Sequence, residues 1–130
     1  MKRIALVTIV VRDYDEAIAF YVDNLGFELL EDTHLERGKR WVVVAPEDDA
    51  SPGFLLARAS GERQLARVGD QTGGRVAFFV RTDDVARDHA RMVANGVRFV
   101  RQPRREPYGT VAVFEDLYGN RFDLIEGTSA

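Results

Sequence analysis

Few residues in this chain of 130 could carry bond-making chemistry. Cysteine is absent, which excludes disulfides, thiolate zinc sites and thiol nucleophiles. The two histidines are His34 and His89. His34 falls in Asp32-Thr33-His34-Leu35-Glu36, between expected strands, where a solvated imidazole and an acid–base at a cavity rim are the alternatives. His89 falls on the sheet-facing side of an expected helix, the position of a hydrogen-bonded core or interface residue. Ser51, Ser60 and Ser129 all lie in expected loops or the tail, so no Ser-His-acid trio assembles. Lys2 and Lys39 are expected to be exposed, which argues against a Schiff-base lysine. Gly69 to Gly74 matches neither a P-loop nor a dinucleotide fingerprint. No catalytic residue is assigned.

The elements that would position any site come in two copies. Leu6 to Arg12 and Arg75 to Arg81 are strand-like runs at a constant offset of 69 positions, which also relates Ala17 to Ala86. Ile4 to Val11 is a strand by its branched residues. Asp13 with Glu16 gives the capping-box spacing, Ala17, Phe20, Tyr21 and Leu25 form an apolar stripe, and Gly26 ends the helix. Strands follow at Phe27 to Thr33, Lys39 to Ala45 and Gly53 to Ala59. Ser60 to Gly74 is polar and glycine-rich, a linker with a weak helical option from Glu62 to Val68. In the second half Arg75 to Arg81 is a strand. Thr82 or Asp83 then caps a helix with Val85, His89, Met92 and Val93 on its apolar face. Strands at Val97 to Arg101, Thr110 to Glu115 and Arg121 to Glu126 complete it; Asp116 to Asn120 is a turn and Gly127 to Ala130 a fraying tail. One helix and four strands per half reads as α+β, a single domain over 1–130 with modules at about 4–59 and 75–126 and a linker at about 60–74.

Composition narrows the partners. The net charge is −3 and no basic stripe gathers, which argues against nucleic acid. No apolar run approaches the ~18–20 residues that span a bilayer, and the eight-residue stretch after Arg3, apolar but for Thr8, lacks a small-residue cleavage site, so a cytoplasmic protein is expected.

The segments Val11-Arg12-Asp13, Phe20-Tyr21, Leu25-Gly26-Phe27 and Phe114-Glu115-Asp116-Leu117-Tyr118-Gly119-Asn120, in that order and spacing, resemble the vicinal oxygen chelate superfamily of glyoxalase I, bleomycin-resistance proteins and extradiol dioxygenases. The resemblance runs from Ile4 to Glu126. It implies two βαβββ modules whose eight strands form a cup-shaped mixed sheet around a cavity, in a homodimer. It also implies metal-ligand positions at Leu6, on or near Phe54, at Arg75 and at Asp123. Only Asp123 could coordinate a cation: leucine and phenylalanine offer no lone pair and a guanidinium is itself cationic. No metal or cofactor is expected.

Set on that frame, strand alternation places Arg75, Ala77 and Phe79 on one face and Arg121 with Asp123 on another. An inward Arg75 opposite Asp123 has two readings, a structural ion pair in a vacated metal site or a clamp for an anionic ligand. Leu6, Thr8, Trp41, Phe54 and Tyr108 complete the candidate cavity. The expected function is binding of a small molecule, with an enzyme using a non-standard metal site as the alternative.

Overall fold

The computed structural model describes residues 1–47 and 51–127. The expected Ser129 tail position therefore lies outside the described residues. The strands are β1 (Leu6–Val11), β2 (Glu28–His34), β3 (Arg40–Ala45), β4 (Gly53–Arg58), β5 (Val76–Arg81), β6 (Arg98–Glu106), β7 (Gly109–Glu115) and β8 (Arg121–Glu126). Helices are α1 (Tyr14–Ile18), continued by a π-helical turn over Ala19–Asn24, then α2 (Gly61–Leu65) and α3 (Val85–Ala94).

The eight strands divide into two four-stranded sheets of identical plan, ordered β1-β4-β3-β2 and β5-β8-β7-β6. In each, the first strand pairs parallel with the last and the other pairs are antiparallel. This is the mixed-sheet, two-module α+β architecture that the repeat predicts.

Asp13 caps α1 by accepting from Glu16 N at 2.9 Å. The reciprocal half of the capping box does not form, because the Glu16 carboxylate instead accepts from Tyr118 Oη at 2.7 Å and from Arg12. After one turn the helix widens: Leu25 N donates to Phe20 O at 3.0 Å and Phe27 N to Tyr21 O at 2.8 Å. Within this wide turn Phe20 and Tyr21 are both buried and meet edge to face at 5.3 Å. The cap of α3 is Asp84, not Thr82 or Asp83; Thr82 is drawn off to bond the Asp88 carboxylate. On α3, Val93 is exposed, while Val85 and Met92 are buried. The sixth strand is longer than its apolar residues suggest, because its arginine-rich part pairs with β7 as far as Glu106↔Gly109.

One apolar core fills the space between the helices and one face of each sheet. Ile9, Val11, Val42, Val44, Phe54 and Leu56 enter it from the first sheet, and Ala112, Phe114, Phe122 and Leu124 from the second. Aromatic rings bridge the two modules: Phe54 meets Phe78 at 4.6 Å and Phe122 at 6.1 Å, and Tyr21 meets Phe122 at 6.4 Å. Truncating the fully buried Phe122 to alanine would cost about 3–5 kcal/mol.

Candidate functional site: the helix-free sheet faces

Strand parity decides which residues reach the face of each sheet that carries no helix, called here the open face. In the first sheet, Thr8 pairs with Leu55, and Leu55 with Val43. These three side chains, with Leu6 and Val10 on β1, Ala57 on β4 and Trp41 on β3, therefore share the open face. Gly53 is needed there. A Cβ at that position would stand 3.0 Å from Val43 Cγ1 and 3.3 Å from Leu6 Cδ2, so its absence lets Leu6 and Val43 close over β4. Thr8 is exposed and Trp41 keeps 39% of its surface.

In the second sheet Phe79 pairs with Asp123, Asp123 with Val113, and Val111 with Ile125. These residues and Ala77 form the second open face, on which Phe79 is 67% exposed. Beside Asp123 a depression of about 450 Å3 is walled by Arg101, Arg104, Tyr108, Val111 and Val113. Tyr108 sits there because Pro107 and Tyr108 form the turn from β6 to β7. Desolvation raises the Asp123 carboxyl above its ordinary pKa, against the opposing pull of Arg101.

Three sequence expectations need correction. Phe54 is not in the cavity: it is buried among Tyr21, Phe27, Phe78 and Phe122 on the core face, and its neighbour Leu55 takes the open-face position. The offset of 69 does not carry over to the partner strands: Val10 pairs with Ala57 and Phe79 with Asp123, an offset of 66 between Ala57 and Asp123, and the β5–β8 ladder is irregular between Val76 and Phe78. Arg75 does not pair with Asp123. It precedes β5, is exposed, and shares a separate depression with Glu115 and Arg121. Arg121 approaches Glu115 at 3.7 Å. The structure thus brings Asp123, Tyr108, Phe79 and Ala77 together on one sheet, sets Leu6, Thr8 and Trp41 on the other, and moves Arg75 and Arg121 to a sheet end. The cations near Asp123 are Arg101, the last residue of the strand read from sequence, and Arg104, which lies beyond it.

Both histidines lie off the open faces. His89 Nε2 is 3.0 Å from Gln102 Oε1 and its ring meets Phe99 at 4.5 Å, a hydrogen-bonded interface residue as its spacing suggested. His34 is the last residue of β2, pairs with Arg40, and lines a different depression.

The Asp116 turn has a role that its composition did not announce. The buried Asp116 carboxylate accepts from Tyr21 Oη at 2.7 Å and from Tyr118 N, Asn120 N and Asn120 Nδ2, each at 2.9 Å. Burial and this carboxylate together push the Tyr21 phenol pKa well up. Asn120 Oδ1 in turn accepts from Gln71 N at 3.2 Å. The Gln71 side chain then acts as a strand: its Nε2 donates to Thr8 O at 2.7 Å and its Oε1 accepts from Val10 N at 3.1 Å. Tyr21, the linker and the Asp116 turn thereby clasp the two modules together. Gly69 permits the approach, since a Cβ there would fall 1.9 Å from Tyr118 O.

Residues 3–124 match the Glyoxalase/Bleomycin resistance protein/Dioxygenase superfamily. The chain belongs to that superfamily. It is 54% identical to an uncharacterized protein of Shewanella frigidimarina over 96% of this chain and 93% of the relative. Among solved structures it is similar to UcmS2, with a TM-score of 0.86 and 32% identity over 98% of this chain and 99% of the other. It is also similar to TnmS3, described as an antibiotic binding protein from Streptomyces sp. CB03234, with a TM-score of 0.78 and 31% identity over 98% of both chains.

The residues present do not fit the divalent metal that the superfamily implies. Leu6, Leu55 in place of Phe54, and Arg75 supply no donor, which leaves the single carboxylate of Asp123. Among the described residues no group of three or more His, Asp or Glu could hold a metal ion. No helix among them is long and apolar enough to cross a membrane.

Proposed function

We propose that this chain binds a small organic molecule in the cytoplasm, against the open sheet faces, within a cup that a second copy of the chain completes. The observation that carries the reading is the make-up of those faces. Trp41 and Phe79 stand exposed among Leu6, Val43, Leu55 and Val113, while α1 and α3 pack into the core on the other side of the sheets. Apolar and aromatic walls with a few charged groups at one end are the make-up of an organic-ligand site. Such faces left uncovered call for a partner surface, and a two-fold copy supplies both halves at once. The antibiotic-binding description of TnmS3, at 31% identity over nearly the whole chain, supports a ligand of this kind.

In this reading the aromatic part of the ligand lies on Trp41 and Phe79, and an anionic or hydrogen-bond-accepting group meets Arg101 rather than Arg75, Arg104 being held by Glu106 at 2.6 Å. The chain works by sequestration, holding its ligand without transforming it. Trp41 is the single tryptophan, so its fluorescence reports directly on the cup. Titration with a panel of aromatic antibiotics should give saturable quenching by at least one member. Phe79→Asp should weaken that binding by tenfold or more while the far-UV spectrum stays unchanged. A panel without effect on Trp41, or full affinity in Phe79→Asp, would overturn the proposal.

A further inference from the structure

Away from both open faces, a depression of about 960 Å3 lies between the β2–β3 hairpin tip and the end of β4. Its charged lining is Arg37, Lys39 and Arg58 against Glu36 alone, with His34 and Ser60 beside them. This local excess of positive charge sits on a chain whose net charge is −3. None of the three cations makes an ion pair among the described residues. Neighbouring Arg40 is different: Asp15 holds it at 2.8 Å and Asp32 at 2.7 Å.

Two features mark the cluster: Arg58 is held in place, and the backbone at Arg37 is unusual. The Arg58 guanidinium lies 5.1 Å over the Tyr14 ring and donates to Gly38 O at 3.2 Å. Arg37 carries the left-handed backbone, φ 61 and ψ 36, beside Gly38 at φ 75. It is the single non-glycine residue with positive φ among the described residues. Two consecutive left-handed residues make the tight hairpin turn in which asparagine, aspartate or glycine is the ordinary occupant. A long cation kept in a strained position, beside two further cations that lack counter-charges, is arranged for a ligand that brings the missing negative charge.

We propose that this depression binds a small molecule through a phosphate or pyrophosphate group. Two arginine forks and a lysine point charge match the several oxygens and multiple charge of such a group better than a single carboxylate does. The acidic balance of the rest of the chain disfavours a long polyanion such as nucleic acid.

Sodium pyrophosphate is the probe, titrated calorimetrically into the full chain at low ionic strength. Saturable binding is expected, weakening as salt is raised. Arg37→Asn removes the cation and relieves the backbone, so its Tm should hold or rise while its affinity falls about tenfold or more. Lys39→Gln should lose affinity similarly, and Arg98→Gln on distant β6 should leave it unchanged. No saturable binding by the native chain, native affinity in both Arg37→Asn and Lys39→Gln, or an equal loss in Arg98→Gln would overturn the proposal. Because the probe does not use the open faces, failure here leaves the Trp41 titration to be judged separately.

Discussion

At the scale of single residues, the most consequential contact is Tyr21 Oη donating to Asp116. It is buried, joins positions 95 apart in sequence, and supplies one of four donors to a carboxylate that is itself buried. Tyr21→Phe keeps the ring packing and removes only that donor. It should destabilise the chain by about 1.5–3 kcal/mol, read by urea unfolding, which is the range for hydrogen bonds to charged groups. Asp123 behaves in the opposite sense. Its folded-state pKa is raised by desolvation, so the native state holds the proton more tightly than the unfolded state does. Stability linked to Asp123 is therefore present at acid pH and lost as pH rises through the carboxyl range. Asp123→Asn should raise Tm at pH 7, and the gain should vanish as the pH falls below the ordinary carboxyl pKa. A gain independent of pH would refute the desolvation account.

The residue scale is also where the sequence was least legible. Alternation grouped Ala77 with Phe79, and the ladder sets Asp123 beside Phe79. Phe54 was misplaced because side-chain parity inverts with any odd shift, and the departure of the last strands from the offset of 69 cannot be seen in composition. Arg104 was missed because the stretch around Pro103 lacks the apolar alternation that marks a strand, although it pairs at a sheet edge.

At the scale of elements, the repeat was legible because each copy carries its own cap, apolar stripe and terminating glycine. The π-helical turn was not, since Phe20 and Tyr21 fit either winding and only the hydrogen bonds distinguish them. The linker was read as polar connection alone, yet Gln71 supplies a pair of ladder bonds to β1. Gln71→Ala removes both. Hydrogen exchange should show the Val10 amide losing protection by about tenfold or more, the factor for one bond of ~1.5 kcal/mol, while Leu56 and the rest of β4 exchange as before. Unaltered Val10 protection would mean that another group covers this edge.

At the scale of the molecule, the two sheets share one core but present their open faces outward, and the superfamily resemblance already implied a cup of eight strands. Sedimentation at micromolar concentration should therefore give twice the 14.6 kDa chain mass. Phe79→Asp should shift this toward the monomer if the same face that receives the ligand also meets the second copy. A stable native monomer would instead mean that the faces serve ligand alone.

The Gln71 side chain has one more consequence, for the sheet edge it covers. β1 is the outermost strand of its sheet, and its outward-facing backbone groups, Thr8 O and Val10 N, are those that would template fibrillar stacking of a foreign strand. Many proteins blunt such an edge with lysine or proline; here a glutamine amide from the linker occupies it. Gln71 N is itself held by Asn120 Oδ1, so the cover on this edge draws on residues from both halves of the chain.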